Sequence, residues 1–279
     1  MPKKSDVGVT ANDAFNQIPR SNPLEDDFNW TVPVERIPLP SGGKTYPKGN
    51  PLHNLEFVQI KAMTAQEEDI LMSRALIKDG TVLTHLIGSC IIDKSINPRD
   101  LTSGDRNAIL VAIRITGYGS AYKVDVSCPE CNTRQNHTFD LADLRLKRLE
   151  LDPIAPGVNQ FEFTLPVSHK KVTFKFMTGR DEEEQSIIAE RRRKLMPDVQ
   201  VDNVVTARLD ACVVSIDGIT DRNKIGAFIR SMPALDSKTL RSYINDNEPG
   251  MDMTGNFTCV QCRADAQVSL PLGASFFWP

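Results

Sequence analysis

Residues 171–185 read KVTFKFMTGRDEEEQ, and residues 57–69 read FVQIKAMTAQEED. In the later stretch Val172, Phe174 and Phe176 alternate with Thr173 and Lys175, the two-residue period of a half-buried strand. Met177-Thr178 follows, and then Asp181, Glu182, Glu183 and Glu184, negative charge placed where the dipole of a starting helix favours it. In the earlier stretch a short strand over residues 55–61, whose buried face the pattern leaves open, runs into Met63-Thr64. Thr64 and Glu67 have the spacing of a capping box, which satisfies the free amides of a helix start. Strand, Met-Thr junction and acidic first turn occur twice, and that recurrence decides the fold.

Outward from this pair, further landmarks recur in the same order. LIGSCIIDKSIN around Cys90 is echoed by LDACVVSIDGIT around Cys212, and Cys128-Pro129-Glu130-Cys131 by Cys259-Val260-Gln261-Cys262. The offsets are 114 at the Thr pair, 122 at the single Cys pair and 131 at the Cys-x-x-Cys pair, so the second copy carries insertions of about 8 and then 9 residues. Before each knuckle stands a helix. In copy one it is SGDRNAILVAIRITGYG, with Ser103 as cap and Gly117 and Gly119 ending it; in copy two it is MPALDSKTLRSYINDNEPG, capped by Asp236 or Ser237 and stopped by Pro249-Gly250. The expected class is α+β, as two duplicated subdomains of strand, helices, Cys-x-x-Cys knuckle and strand. Copy one covers 51–150 with Cys128 and Cys131, and copy two covers 151–279 with Cys259 and Cys262.

Residues 1–50 are rich in Pro, Gly, Asn and Ser and lack either period, which predicts an extended N-terminal arm. Its apolar residues Phe28, Trp30, Val34 and Ile37 stand singly. The arm is therefore either a mobile tail or a segment ordered against another body or chain.

The 279 residues suit two domains of ordinary size, and 40% hydrophobic with 25% charged residues is the composition of a globular protein able to bury a core. A net charge of -3 gives no electrostatic reason to expect nucleic acid. Two lysines at the start have no apolar stretch behind them, and no run reaches the length of a membrane span, so a cytoplasmic protein is expected, with no membrane partner. In a reducing compartment six cysteines are thiols or metal ligands more often than a disulfide framework.

One Cys-x-x-Cys supplies two thiolates, whereas structural zinc takes four ligands in a tetrahedron. Near the first knuckle the only histidine is His137, and none follows Cys262. The simplest completion brings Cys259 and Cys262 beside Cys128 and Cys131 about a local two-fold axis, as one structural zinc site that ties together points 131 residues apart. A disulfide within or between knuckles, empty thiols, and an iron–sulfur cluster are the alternatives. Cys90 and Cys212, on apolar faces, read as small core residues.

Other features do not build a reaction centre. Arg191-Arg192-Arg193-Lys194 ends a helix whose first turn is acidic, so dipole matching explains it. His53, His85, His137 and His169 have no catalytic or metal spacing. SGGKTYPKG (41–49) lacks the first glycine and the preceding buried strand of a phosphate loop and reads as a tight turn. No enzyme is expected.

LPSGGKTYP (39–47), IKAMTAQEEDILMSRALIKDG (60–80), LTSGDRNAILVAIRITGYG (101–119), VSCPEC with FDLADL, and CVQC with VSLPLGASFFWP at the end together resemble the baseplate hub and hub-assembly family of T-even-type contractile-tailed bacteriophages, from about residue 36 onward. The resemblance implies a non-enzymatic virion or assembly protein, made in the host cytoplasm and working at the centre of the tail baseplate with hub, tail tube or tape-measure proteins. Phe276, Phe277 and Trp278 would be poor surface residues in a free monomer and join Phe28 and Trp30 as expected partner-binding residues. A transient assembly chaperone absent from the mature virion is one alternative. A zinc-ribbon nucleic-acid binder is another, but only Arg134 and Arg263 lie close to the knuckles.

Overall fold

The computed structural model describes residues 32–195 and 204–278. Phe28 and Trp30 lie outside them. The arm reading does not extend to residue 50, because Val34–Pro38 form strand β1 and pair antiparallel with β2 (Phe57–Lys61). VERIP is too short, and too closely flanked by prolines, for its alternation to be legible, yet Val34 and Ile37 are 1% exposed and belong to the core.

After β2 come helices α1 (Ala65–Met72), α2 (Arg74–Lys78), α3 (Val82–Cys90) and α4 (Ser103–Tyr118). The hairpin β3 (Ala121–Ser127) and β4 (Arg134–Asp140) carries the first knuckle, and β5 (Leu146–Lys147) leads away. The second half opens with the hairpin β6 (Phe161–Thr164) and β7 (Lys171–Phe174), followed by α5 (Gly179–Leu195), α6 (Val204–Cys212) and β8 (Val213–Ile216), which joins β7 to make a three-stranded sheet. Helices α7 (Arg222–Ser231) and α8 (Ala234–Asn247), strand β9 (Gly250–Met251) and the knuckle hairpin β10 (Thr254–Thr258) with β11 (Asp265–Ser269) complete it. The class is α+β, as expected.

Equivalent contacts hold equivalent places. Lys61 Nζ lies 2.7 Å from Glu67, which also accepts the Thr64 amide at 3.0 Å and the Thr64 hydroxyl at 2.6 Å. Lys175, Asp181 and Thr178 make the same three contacts at 2.7, 3.0 and 2.9 Å, each 114 positions later. Ile60 bridges Ile91 as Phe174 pairs with Val213. At the first turn of α4, Asp105 accepts the Ser41 amide at 2.9 Å; at the first turn of α8, Asp236 accepts the Val167 amide at 2.7 Å. Asp236 is therefore a long-range tether rather than the helix cap, a position held by Pro233.

Two hydrophobic cores result. The second is built from residues between Leu149 and Ile244, with Phe161, Phe174 and Phe176 stacked at its centre. The first is built on α4, whose residues Ile109 to Ile113 are all 2% exposed or less, and it takes in Phe257, Cys259, Leu270, Phe276 and Phe277 from the far end of the chain. The second knuckle hairpin thus leaves its own helices and packs on the first core, unlike the expected division at residue 150. The link that redirects it is β9, which pairs with β5 through Leu146↔Met251 and Lys147↔Gly250 and lies against the start of α4. Gly104 permits that approach: a Cβ there would stand 1.7 Å from the Pro249 carbonyl oxygen.

The halves also meet along the backbone. Ser103 donates its amide to Met177 O at 2.8 Å, Gly179 to Leu101 O at 3.0 Å and Arg180 to Arg99 O at 2.9 Å. Arg99–Glu183 at 2.7 Å and Arg106–Glu182 at 3.3 Å reinforce the seam. Among the described residues no helix is long and apolar enough to cross a membrane.

Candidate metal centre

Each knuckle is a tight turn at the end of a two-stranded hairpin. Cys128 donates its amide to Thr133 O at 3.0 Å and accepts from Asn132 N at 2.9 Å; Cys259 donates to Ala264 O and accepts from Arg263 N, both at 2.9 Å. Asn132 and Arg263 take the left-handed conformation that closes the turn, at φ 57° and 58°. The hairpin registers match too, Ser127↔Arg134 in one and Thr258↔Asp265 in the other. Such a turn aims two sulfurs at one point outside the strands.

The two turns face each other. Cys128 Sγ lies 3.7 Å from Cys262 Sγ, Cys131 Sγ lies 3.6 Å from Cys259 Sγ, and all four sulfurs fall within 4.8 Å of one another. The two short contacts exchange under the 131-residue correspondence, so the cluster has local two-fold character. Sulfurs at the corners of a tetrahedron with 2.3 Å metal–sulfur bonds stand about 3.8 Å apart, so the arrangement fits one tetrahedral ion. It does not fit a disulfide, whose sulfurs are about 2.05 Å apart, and all six cysteines are free thiols.

Cys128 and Cys259 are buried at 0% and 1% exposure, while Cys131 and Cys262 face solvent and leave an entry path. The Thr133 hydroxyl, 3.2 Å away, and its amide, helped by the neighbouring thiols, bring Cys131 down to about 6. Cys262 goes the other way: the Ala264 amide favours its thiolate, but desolvation and the sulfurs of Cys131, Cys259 and Cys128 outweigh it and push the thiol up to about 12. One thiolate forms readily in the group and its charge resists the next. A bound cation removes that resistance, because all four ligands then coordinate as thiolates.

Around the sulfurs, Gln135 donates Nε2–H to Thr258 O at 3.2 Å and accepts the Val260 amide at 2.9 Å, stitching the first hairpin to the second turn. His137 stacks on Phe139 and Phe257 with ring centroids 4.6 and 5.9 Å away, as packing rather than as a ligand. Sequence spacing did not single out Gln135, because its partners lie 123 and 125 positions away.

The remaining site residues separate. Phe276 and Phe277 are 0% and 1% exposed, and Phe276 packs on Tyr122 with centroids 5.0 Å apart. Their surface is spent inside this chain, which corrects their reading as partner-binding residues; Trp278, 39% exposed, is the tail aromatic left at the surface. Arg114, itself 1% exposed, reaches from α4 to donate to Phe276 O at 3.2 Å, Gly119 O at 2.8 Å and Ala121 O at 3.2 Å, fastening the tail and the start of the first hairpin together. Cys90 and Cys212 are core residues, their thiols pushed up to about 12 and about 11 by burial, and they take no part in the cluster. A 730 Å³ cleft lies where α4 meets the end of α8; its charged lining includes Arg145, Arg208, Glu182 and Glu248. Ser103 there is already bonded to Glu182 at 2.6 Å, and neither histidine nor cysteine lines the cleft.

No curated protein and no solved structure matches the chain. A family model described as T4 bacteriophage base plate protein matches residues 33–278. That match takes in both cores, the seam between the halves and all four knuckle cysteines. The chain accordingly belongs to the T4 bacteriophage base plate protein family, and its place is the tail baseplate of the virion.

Proposed function

We propose that this chain is a non-enzymatic structural protein of the hub region of a contractile-tail baseplate, which acts in tail assembly by holding neighbouring proteins in fixed geometry. The observation that carries the reading is the joint itself. Two bodies with separate cores are bound by a backbone seam, by a shared hairpin layer and by four converging sulfurs, an arrangement that sets an angle rather than encloses a substrate. Zinc is the fitting ion for four thiolates in a closed tetrahedral set, and it would supply structure and no reaction.

The paired contacts at offsets of 114 and 131, in the strand-to-helix junctions and in the knuckle hairpins, support an origin of the two halves by internal duplication. Neighbours are hub, tail tube or tape-measure proteins, met through Trp278 and through Phe28 and Trp30 of the N-terminal arm. The knuckle surroundings, with Arg134 and Arg263 as the nearby cations, do not support nucleic-acid binding.

The test is mass spectrometry of purified, salt-washed virions with copy counting. The chain is expected as a stoichiometric component of the particle. Its absence from particles, with a complex to an unassembled hub or tape-measure protein in infected lysate, would establish the transient chaperone instead.

A further inference from the structure

The second knuckle hairpin is in an unusual position for a repeated element. The first hairpin stays beside its own helix α4, fastened through Arg114 to Gly119 and Ala121. Among the described residues the second has none in the core of its own half and packs against the other. Its attachments outside the sulfurs are mostly side-chain packing, by the buried Phe257, Leu270, Phe276 and Phe277 and the partly buried Met253, Ala266, Val268 and Leu272, while its polar ties include the two-residue β5–β9 ladder, Asp252 N to Arg145 O, Gln135 to the turn and Arg114 to Phe276 O. Among the described residues both hairpins are two-stranded, β3 with β4 and β10 with β11, and neither extends a larger sheet. A two-stranded hairpin is marginal by itself in water, so each depends on what its tip is joined to.

We propose that the bound metal is a latch for this cover, so that metal occupancy decides whether residues 254–278 stay closed on the first core. The proposal rests on the reading of the four sulfurs as a loaded zinc site. With the ion in place, the two hairpin tips are one object, and the tail bearing Phe276 and Phe277 is pinned at both the tip and Arg114. Without it, four thiols at 3.6 to 4.8 Å hold the tips by contact alone. The cover then opens as a local unit, exposing Tyr122, Phe139 and the underside of α4, while the second core, which shares none of these residues, is unaffected.

The experiment uses the full chain expressed with zinc. Metal per chain is counted first, and the chain is then stripped with a chelator under reducing conditions and compared with the loaded form by hydrogen exchange. The expected result is about one zinc per chain and, on stripping, about tenfold or greater loss of protection in 121–140 and 254–278, with less than about twofold change in 149–244. Cys262→Ser should reproduce the stripped pattern, and Cys212→Ser should not. Three results overturn the proposal. Purification with no metal removes the reading it rests on. Unchanged exchange in a stripped chain leaves the metal site standing but shows that the cover needs no latch. Uniform loss of protection over both cores shows that the ion holds the whole chain and not one cover.

Discussion

Asp105 accepts the backbone amide of Ser41 at 2.9 Å across 64 positions of sequence, from the first turn of α4 to the glycine turn after β1. The same carboxylate takes the Ser41 hydroxyl at 2.6 Å and the Tyr46 hydroxyl at 2.5 Å. Burial raises its pKa, and these donors oppose the rise without cancelling it. Asp105→Ala would strand the Ser41 amide and hydroxyl and leave the Tyr46 hydroxyl with Thr102 Oγ1 at 3.5 Å. Unpaired groups of this kind cost about 1–3 kcal/mol each, so a loss of at least about 2 kcal/mol in urea unfolding is expected. Asp236→Ala strands the two amides of Val167 and Ser168 on a more open loop and should cost less.

Glu67 supplies a pH dependence. Burial would raise its pKa, but Lys61, Ser89 and Thr64 outweigh burial and hold it at about 2 against an ordinary 4.5. A carboxyl depressed in the folded state stabilises above its unfolded pKa, and that contribution is lost as pH falls from about 4.5 towards about 2. Stability measured across this window should fall more steeply for the native chain than for Glu67→Gln. Equal slopes would show that the group is not depressed.

Gly104→Ala places a methyl against backbone, the Pro249 carbonyl oxygen at 1.7 Å and carbon at 2.7 Å, where no flexible side chain can yield. A strain of roughly 1–3 kcal/mol or more is expected, felt at the β5–β9 link. Hydrogen exchange at Leu146, Lys147, Gly250 and Met251 reads it directly.

Removing buried tail aromatics tests whether the cover is part of the core. Phe276→Ala or Phe277→Ala should each lower stability by about 3–5 kcal/mol, as for other fully buried phenylalanines. Trp278→Ala, at a 39% exposed position, should cost far less. Near-neutral values for both phenylalanines would contradict the packing.

Cysteine variants should sort into two classes. Cys128→Ser and Cys259→Ser are expected to abolish stoichiometric zinc binding measured by elemental analysis, whereas Cys90→Ser leaves metal content unchanged and lowers stability only through its buried site.

Much of this was legible from short-range pattern. The strand-to-helix junctions at Thr64 and Thr178, the knuckles, and the core role of Cys90 and Cys212 all rest on spacings of a few residues, which the backbone period makes visible. What the sequence hid depends on direction. Pro249-Gly250 reads as a helix stop, and nothing local says that the chain beyond it turns towards α4 instead of back onto α8. Asp236 looks like a cap because Asp favours that place, while its real partners Val167 and Ser168 are 69 and 68 positions away. SGGKTYPKG reads as a turn and is one, but its tether to Asp105 is invisible without the fold. Phe276 and Phe277 were recognisable as residues needing cover; composition does not say whose.

Half of the sulfur cluster is made long before the other half. A ribosome that has released Cys128 and Cys131 must still synthesise everything up to Cys262 before a fourth sulfur exists. A chain that stops early keeps both cores' worth of helices yet never closes the site. The joint between the two bodies therefore cannot close until Cys262 has been made, after the helices of both have already left the ribosome.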